Sequence, residues 1–142
     1  MKKVIRTLTE LENFAGFVGK KINPGEILCL YGNLGSGKTT FTNYLVKKLG
    51  FKDKVQSPTF VIARRYHKSD GKIKVINHID LYRITNTSDI NDLSLEEYFE
   101  DKEAVTIIEW PEMAEEKLKN YAYKKVYFVY LNESSRGIEY ED

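Results

Sequence analysis

Hydrophobic positions change period several times along the chain, and each change marks an element. Leu11, Phe14, Ala15, Val18 and Ile22 recur at three- and four-residue spacing, the stripe of an amphipathic helix, and Thr9 with Glu12 has the spacing of a capping box at its start. Pro24 and Gly25 break the stripe. The apolar run "EILCLY" that follows has the pattern of a strand buried on both faces. Helical period returns with Phe41, Tyr44, Leu45 and Leu49, and Gly50 stands where a left-handed C-terminal cap belongs.

Further on, "TFVIARRYH" and "KIKVINHID" flank "KSDG", whose Asp70 and Gly71 favour a tight turn, so the two segments are expected to pair as antiparallel strands. A polar, acidic connection runs through Asn91. Ser94 and Glu97 then repeat the capping-box spacing ahead of a short helix, "LEEYFED". "AVTIIEW" is another buried-strand pattern, and Pro111 suits the first turn of a helix through "EMAEEKLK". The segments "KVYFVYLN" and "RGIEYED" read as a hairpin, with Val126, Phe128 and Tyr130 on one face and Tyr127, Val129 and Leu131 on the other. Mixed strands and helices in this order predict an α/β fold whose hairpins exclude a purely parallel sheet. With no repeat, low-complexity tract or linker, residues 1–142 are expected to form a single domain.

Composition narrows the setting. At 142 residues and 42% hydrophobic, the chain can bury a core without metal or disulfide staples. Cys29 is the sole cysteine and lies between Leu28 and Leu30, which predicts a buried, inert thiol and suits a reducing cytoplasm. The first twenty residues alternate charge with apolar positions, unlike a signal peptide, and no run approaches the roughly eighteen apolar residues of a membrane span. Net charge is +1 from 22 basic and 21 acidic residues, too balanced for a protein that wraps DNA. Contact with RNA would have to be local or through a partner.

The chemistry concentrates in residues 32–39, "GNLGSGKT", which satisfy G-x-x-x-x-G-K-[ST] between a predicted strand and a predicted helix. Glycine is needed where phosphate oxygens approach backbone N–H groups and where the loop visits angles other residues avoid. The amides of Asn33, Leu34, Gly35, Ser36, Gly37, Lys38, Thr39 and Thr40 are expected to converge on phosphates, aided by the positive end of the helix. Lys38 would bridge the β- and γ-phosphates, Thr39 would ligate Mg²⁺, and Thr40 could reach the α-phosphate. A dinucleotide fingerprint starting at Gly35 fails at Thr40, where a glycine or alanine is required. A guanine-reading Asn-Lys-x-Asp motif is absent, which favours ATP.

Such a site needs a carboxylate at a neighbouring strand end to orient the metal's waters. Asp80 follows "KVINHI" and Glu109 follows "AVTII". Asp80 is assigned to the metal or its water shell and Glu109 to the attacking water, and the two roles can be exchanged on sequence alone. In "QSPTF", Thr59 is placed as in a switch segment that senses the γ-phosphate, and an ordinary Ser-Pro turn fits the same spacing equally well. Trp110, beside Glu109, could shield the site from water, whereas His67 and His78 lack a second ligand at metal spacing and read as structural. Among Arg64, Arg65 and Arg83 one could stabilise transition-state charge, and the default reading of all three is surface arginine.

Together, "GNLGSGKTTF", "SPTF", "HIDLYR" and "IEWPE", in this order and at these separations, resemble the bacterial TsaE (YjeE) family, with a weaker echo in "SSRGIEY". The resemblance implies a P-loop NTPase-like three-layer sandwich with a mixed parallel and antiparallel sheet. It also implies ATP hydrolysis, with Mg²⁺, in an assembly with TsaB and TsaD that makes threonylcarbamoyladenosine in tRNA. The family roles fall on Lys38, Thr39, Thr59, Asp80, Glu109 and Trp110. Many relatives carry aspartate where Asn33 stands and glycine where Ser94 stands, departures that remove neither a phosphate nor a metal contact. Two other readings of the same loop are a small-molecule kinase, for which 142 residues leave little room for an acceptor pocket and lid, and a nucleotide sensor that does not hydrolyse.

Overall fold

The computed structural model of the chain describes residues 1–55 and 62–142. Its elements are β1 (Lys2–Ile5), α1 (Leu8–Lys21), β2 (Ile27–Tyr31), α2 (Lys38–Lys48), β3 (Ala63–His67), β4 (Val75–Asp80), α3 (Thr87–Asn91), α4 (Leu95–Phe99), β5 (Ala104–Glu109), a 3₁₀ turn (Pro111–Ala114), α5 (Glu115–Leu118), β6 (Lys124–Asn132) and β7 (Ser135–Glu141). The described strands form one seven-stranded sheet in the order β1-β7-β6-β2-β5-β4-β3. β2 lies parallel to both β5 and β6, β4 lies parallel to β5, and the outer pairings are antiparallel. The mixed sheet and the α/β class match the sequence reading.

Helices cover both faces, which makes three layers. On one side α1 and α2 bury Phe14, Val18, Phe41 and Leu45 against Leu28, Leu30, Ile107 and Val126. On the other, α3, α4 and the turn before α5 bury Ile90, Leu95, Phe99 and Ala114 against Cys29, Ile79 and Ile108. A strand covered on both faces has no polar side to show. That is why "ILCL" in β2 and "AVTIIE" in β5 are buried throughout. Cys29 is fully buried, and burial pushes its thiol pKa well up, as an inert thiol requires. No helix among the described residues is long and apolar enough to cross a membrane.

Local departures from the sequence reading have specific causes. The cap of α1 is Thr7, not Thr9: its hydroxyl accepts the Glu10 N–H at 3.1 Å, and the Glu10 carboxylate reaches back to the Arg6 N–H. The N-terminal segment also contributes β1, too short to show a period, which pairs with β7 at the far end of the sequence. The acidic connection contains α3, capped by the Asn86 side chain on the Asp89 N–H at 3.1 Å. Ser94 does precede α4, but with φ +52° and no side-chain cap bond, so the second capping box does not form. That left-handed conformation is one glycine adopts without steric cost. The helix expected after Pro111 opens as a 3₁₀ turn before α5. The β3–β4 pair is antiparallel as expected, although part of "TFVIARRYH" lies outside the described residues.

Phe41 ties the P-loop helix to the core. Its ring lies 5.9 Å from that of Phe14 and 5.4 Å from that of Phe128, and it is fully buried. Phe41→Ala is expected to cost about 3–5 kcal/mol of folding stability in a urea titration.

Candidate functional site

β2, β5 and β4 run parallel as neighbours, so their C-terminal ends share one edge of the sheet. Register then fixes the chemistry: Glu109 lies opposite Leu30 on one side and opposite Asp80 on the other. Two carboxylates are thus carried side by side to the edge where the loop from β2 turns into α2, and both are buried, Glu109 at 2% and Asp80 at 7% exposure.

The loop itself has the geometry that its glycines allow. A Cβ on Gly32 would lie 2.8 Å from the Phe128 carbonyl oxygen and 2.7 Å from Ser36 Oγ, so this glycine is required by close packing. Gly35 and Gly37 differ. They adopt φ +77° and +109°, and an added Cβ would meet no protein atom within 4 Å. Conformation requires glycine at both positions, and the space in front of them is open. The Ser36 N–H closes a turn onto the Asn33 carbonyl at 3.1 Å, while Lys38, Thr39 and Thr40 form the first turn of α2, where N–H groups lack helical partners. Ser36 Oγ is buried with no hydrogen-bond partner among the described residues. An open, donor-rich concavity of this kind fits an anion.

Lys38 is 95% buried within this arrangement, at 5% exposure. Its ammonium donates to the Gly32 carbonyl and sits 3.5 Å from the centroid of the Trp110 ring. Burial pulls its pKa below the ordinary lysine value, opposed by the nearby carboxylates of Glu109, Glu112 and Asp80. Glu112 is shifted the other way, upward, chiefly by burial. Trp110 holds φ +57°, a left-handed conformation that is uncommon for a bulky residue and costs on the order of 1 kcal/mol. In this conformation the indole lies over the Lys38 ammonium and 5.0 Å from the Tyr82 ring between centroids.

The predicted residues converge. Leu34, Gly35, Gly37 and the run Lys38 to Thr40 line one side of a cleft of about 240 Å³, and Asp80, Glu109 and Trp110 line the other. Asn33 lies at the exposed start of the loop, Ser36 lies buried beneath it, and Thr59 lies outside the described residues. Thr39 Oγ1 donates to Glu109 Oε1 at 3.1 Å, which joins the loop to the strand end. Asp80 Oδ1 accepts the Tyr82 N–H at 2.9 Å. Among the described residues no three His, Cys, Asp or Glu side chains cluster as a protein-only metal cage. The donor set of one hydroxyl and two carboxylates instead suits Mg²⁺, which keeps several waters and shares phosphate oxygens.

Two residues of the site were missed by sequence reasoning. Tyr82 lines the cleft; its signal was its place two residues after Asp80 in "HIDLYR". His78, read as structural, is fully buried in β4 with Nε2 2.6 Å from Glu109 Oε2 and Nδ1 3.4 Å from the Tyr66 hydroxyl. Both Glu109 oxygens are therefore held, one by Thr39 and one by His78. Arg65 is paired with Asp101 at 3.1 Å.

Comparison with known proteins gives a consistent result. Residues 5–138 match the family model described as "Threonylcarbamoyl adenosine biosynthesis protein TsaE". The chain is 43% identical over 95 residues to a tRNA threonylcarbamoyladenosine biosynthesis protein TsaE of Bacillus subtilis (strain 168), covering 67% of this chain but only 56% of that relative's length. It is 31% identical over 121 residues to the protein of the same name from Treponema pallidum (strain Nichols), covering 85% of this chain and 86% of the relative. A crystal structure of Bacillus subtilis YdiB superposes with a TM-score of 0.76 at 27% identity, over 99% of this chain and 83% of that one.

A buried carboxylate held at both oxygens should be coupled energetically to each partner. A double-mutant cycle of His78→Ala and Glu109→Ala, read by chemical denaturation, is expected to give a coupling of about 1–3 kcal/mol. A coupling near zero would mean that the His78–Glu109 contact does not hold the carboxylate.

Proposed function

The chain belongs to the TsaE family, and from that membership we propose that it acts in the biosynthesis of threonylcarbamoyladenosine in tRNA, as an ATP-hydrolysing subunit that works with TsaB and TsaD homologues in the cytoplasm. The names of the relatives support the pathway. The resemblance carried by "GNLGSGKTTF", "SPTF", "HIDLYR" and "IEWPE" supports the partners, and near-neutral charge suits contact with tRNA through them rather than by a basic surface of its own.

The observation that carries the hydrolytic reading is the hydrogen bond from Thr39 to Glu109, because it joins the expected metal-binding hydroxyl to a buried strand-end acid. Of the two role assignments open from sequence, this contact favours the exchanged one. Glu109 stands beside the metal ligand Thr39, and Asp80, one strand away at the same register, orients the attacking water. Bound Mg²⁺ would draw charge from the β- and γ-phosphate oxygens. Loop amides and the Lys38 ammonium hold those oxygens in place, so that water adds to the γ-phosphorus as the bond to ADP breaks. His78 keeps the Glu109 carboxylate from rotating away from Thr39. Trp110 and Tyr82 close one wall of the cleft and restrict bulk water.

The test is phosphate release from ATP by the protein mixed with its TsaB and TsaD homologues. Lys38→Ala and Glu109→Gln are each expected to lower turnover by about a hundredfold or more. Undiminished turnover in both variants would end the assignment, and ATP binding with no phosphate release by the native assembly would identify a sensor that does not hydrolyse.

A further inference from the structure

A row of buried polar side chains crosses the sheet behind the cleft. Tyr66 on β3, His78 on β4 and Glu109 on β5 are all buried. Alternation along the strands puts them on the face that α1 and α2 cover, where Ile76, Val105 and Ile107 beside them are apolar. Register makes the row a diagonal. Tyr66 pairs with Ile76, two residues before His78, and His78 pairs with Ile107, two residues before Glu109. Each step moves one strand across and two residues along, a separation that ring side chains can span.

The contacts run the length of the row. The Tyr66 hydroxyl lies 3.4 Å from His78 Nδ1, His78 Nε2 lies 2.6 Å from Glu109 Oε2, and Glu109 Oε1 accepts the Thr39 hydroxyl at 3.1 Å. A carboxylate only accepts, so in the short contact the proton is carried by Nε2. Nδ1 then faces a hydroxyl that can either give or take a hydrogen bond. Without that hydroxyl the imidazole would hold an unpaired nitrogen in apolar surroundings. Turning the ring relieves that cost and withdraws Nε2 from Glu109.

We propose that Tyr66 is a positioning residue of the metal site: by anchoring the far side of the His78 ring, it fixes the direction in which Glu109 presents its other oxygen to Thr39. This rests on the nucleotide reading above, which places the metal at Thr39, and it carries the site outward to β3, the last strand of the sheet. Tyr66 is not among the described residues that line the cleft, so it acts only through the ring and the carboxylate in between. An apolar trio could fill the same space without buried polar atoms. What the polar row adds is the aim of its last carboxylate.

The experiment uses Tyr66→Phe, which keeps the ring and removes the hydroxyl, with a thermal melt to confirm that it is folded. The first readout is the ring N–H signal of ¹⁵N-labelled histidine in the protein without nucleotide. The chain has two histidines and His67 is exposed, so a ring proton protected from solvent belongs to His78. The wild type is expected to show one such proton, on Nε2, and the variant to exchange it at least about tenfold faster as the ring loses its anchor. The second readout is isothermal calorimetry with MgATP and with ATP in EDTA. Loss of an outer partner of a metal ligand is expected to weaken MgATP by about tenfold, while metal-free ATP changes by less than about twofold. A wild type without a protected Nε2 proton overturns the proposal, as does unchanged MgATP affinity in Tyr66→Phe. Equal weakening of MgATP and metal-free ATP reduces Tyr66 to packing and overturns it too; in each of these cases the P-loop site stands. A wild type that binds neither form of ATP overturns the nucleotide reading itself.

Discussion

The site depends on the position of a single carboxylate. Glu109 ends a strand covered on both faces, where a charge without partners would be costly. Thr39 and His78 take one oxygen each, and both partners are delivered by elements adjacent to β5: the helix that follows β2, and β4. The parallel register of β2, β5 and β4 is thus not only an arrangement of the core. A slip of one residue would turn Glu109 to the opposite face of the sheet and leave both contacts unmade.

Around that fixed point, rigidity and openness are divided between the two sides of the loop. Below it, Gly32 packs so tightly against Phe128 and Ser36 that no side chain fits, and Phe41 locks α2 onto α1 and β6. Above it, Gly35 and Gly37 face open space. The concavity is held from behind by the aromatic core, so its shape does not depend on a ligand to form. Order in advance of binding lowers the entropy lost when a ligand arrives.

Much of this was legible in the sequence because it follows local rules. "GNLGSGKT" needs only its own glycines and the flanking periods to be read, and the acids at strand ends are visible as the first charge after an apolar run. What failed required knowledge of distant partners. His78 sits mid-strand in "KVINHI", and its role appears only once β4 and β5 are laid side by side in register, a pairing that spans 31 residues. β1 has four residues and acquires its strand character from β7. At the start of α1 two overlapping capping patterns compete, Thr7 with Glu10 and Thr9 with Glu12. The structure uses the first because β1 ends at Ile5 and leaves the helix room to begin at Leu8.

Lys38 is not idle while the cradle waits. Its ammonium already has a carbonyl from its own loop and the face of an indole, and acids surround it. An incoming anion must therefore replace existing interactions rather than satisfy a bare charge. The resting contacts of Lys38 thus set the level of attraction that any occupant of the loop has to exceed.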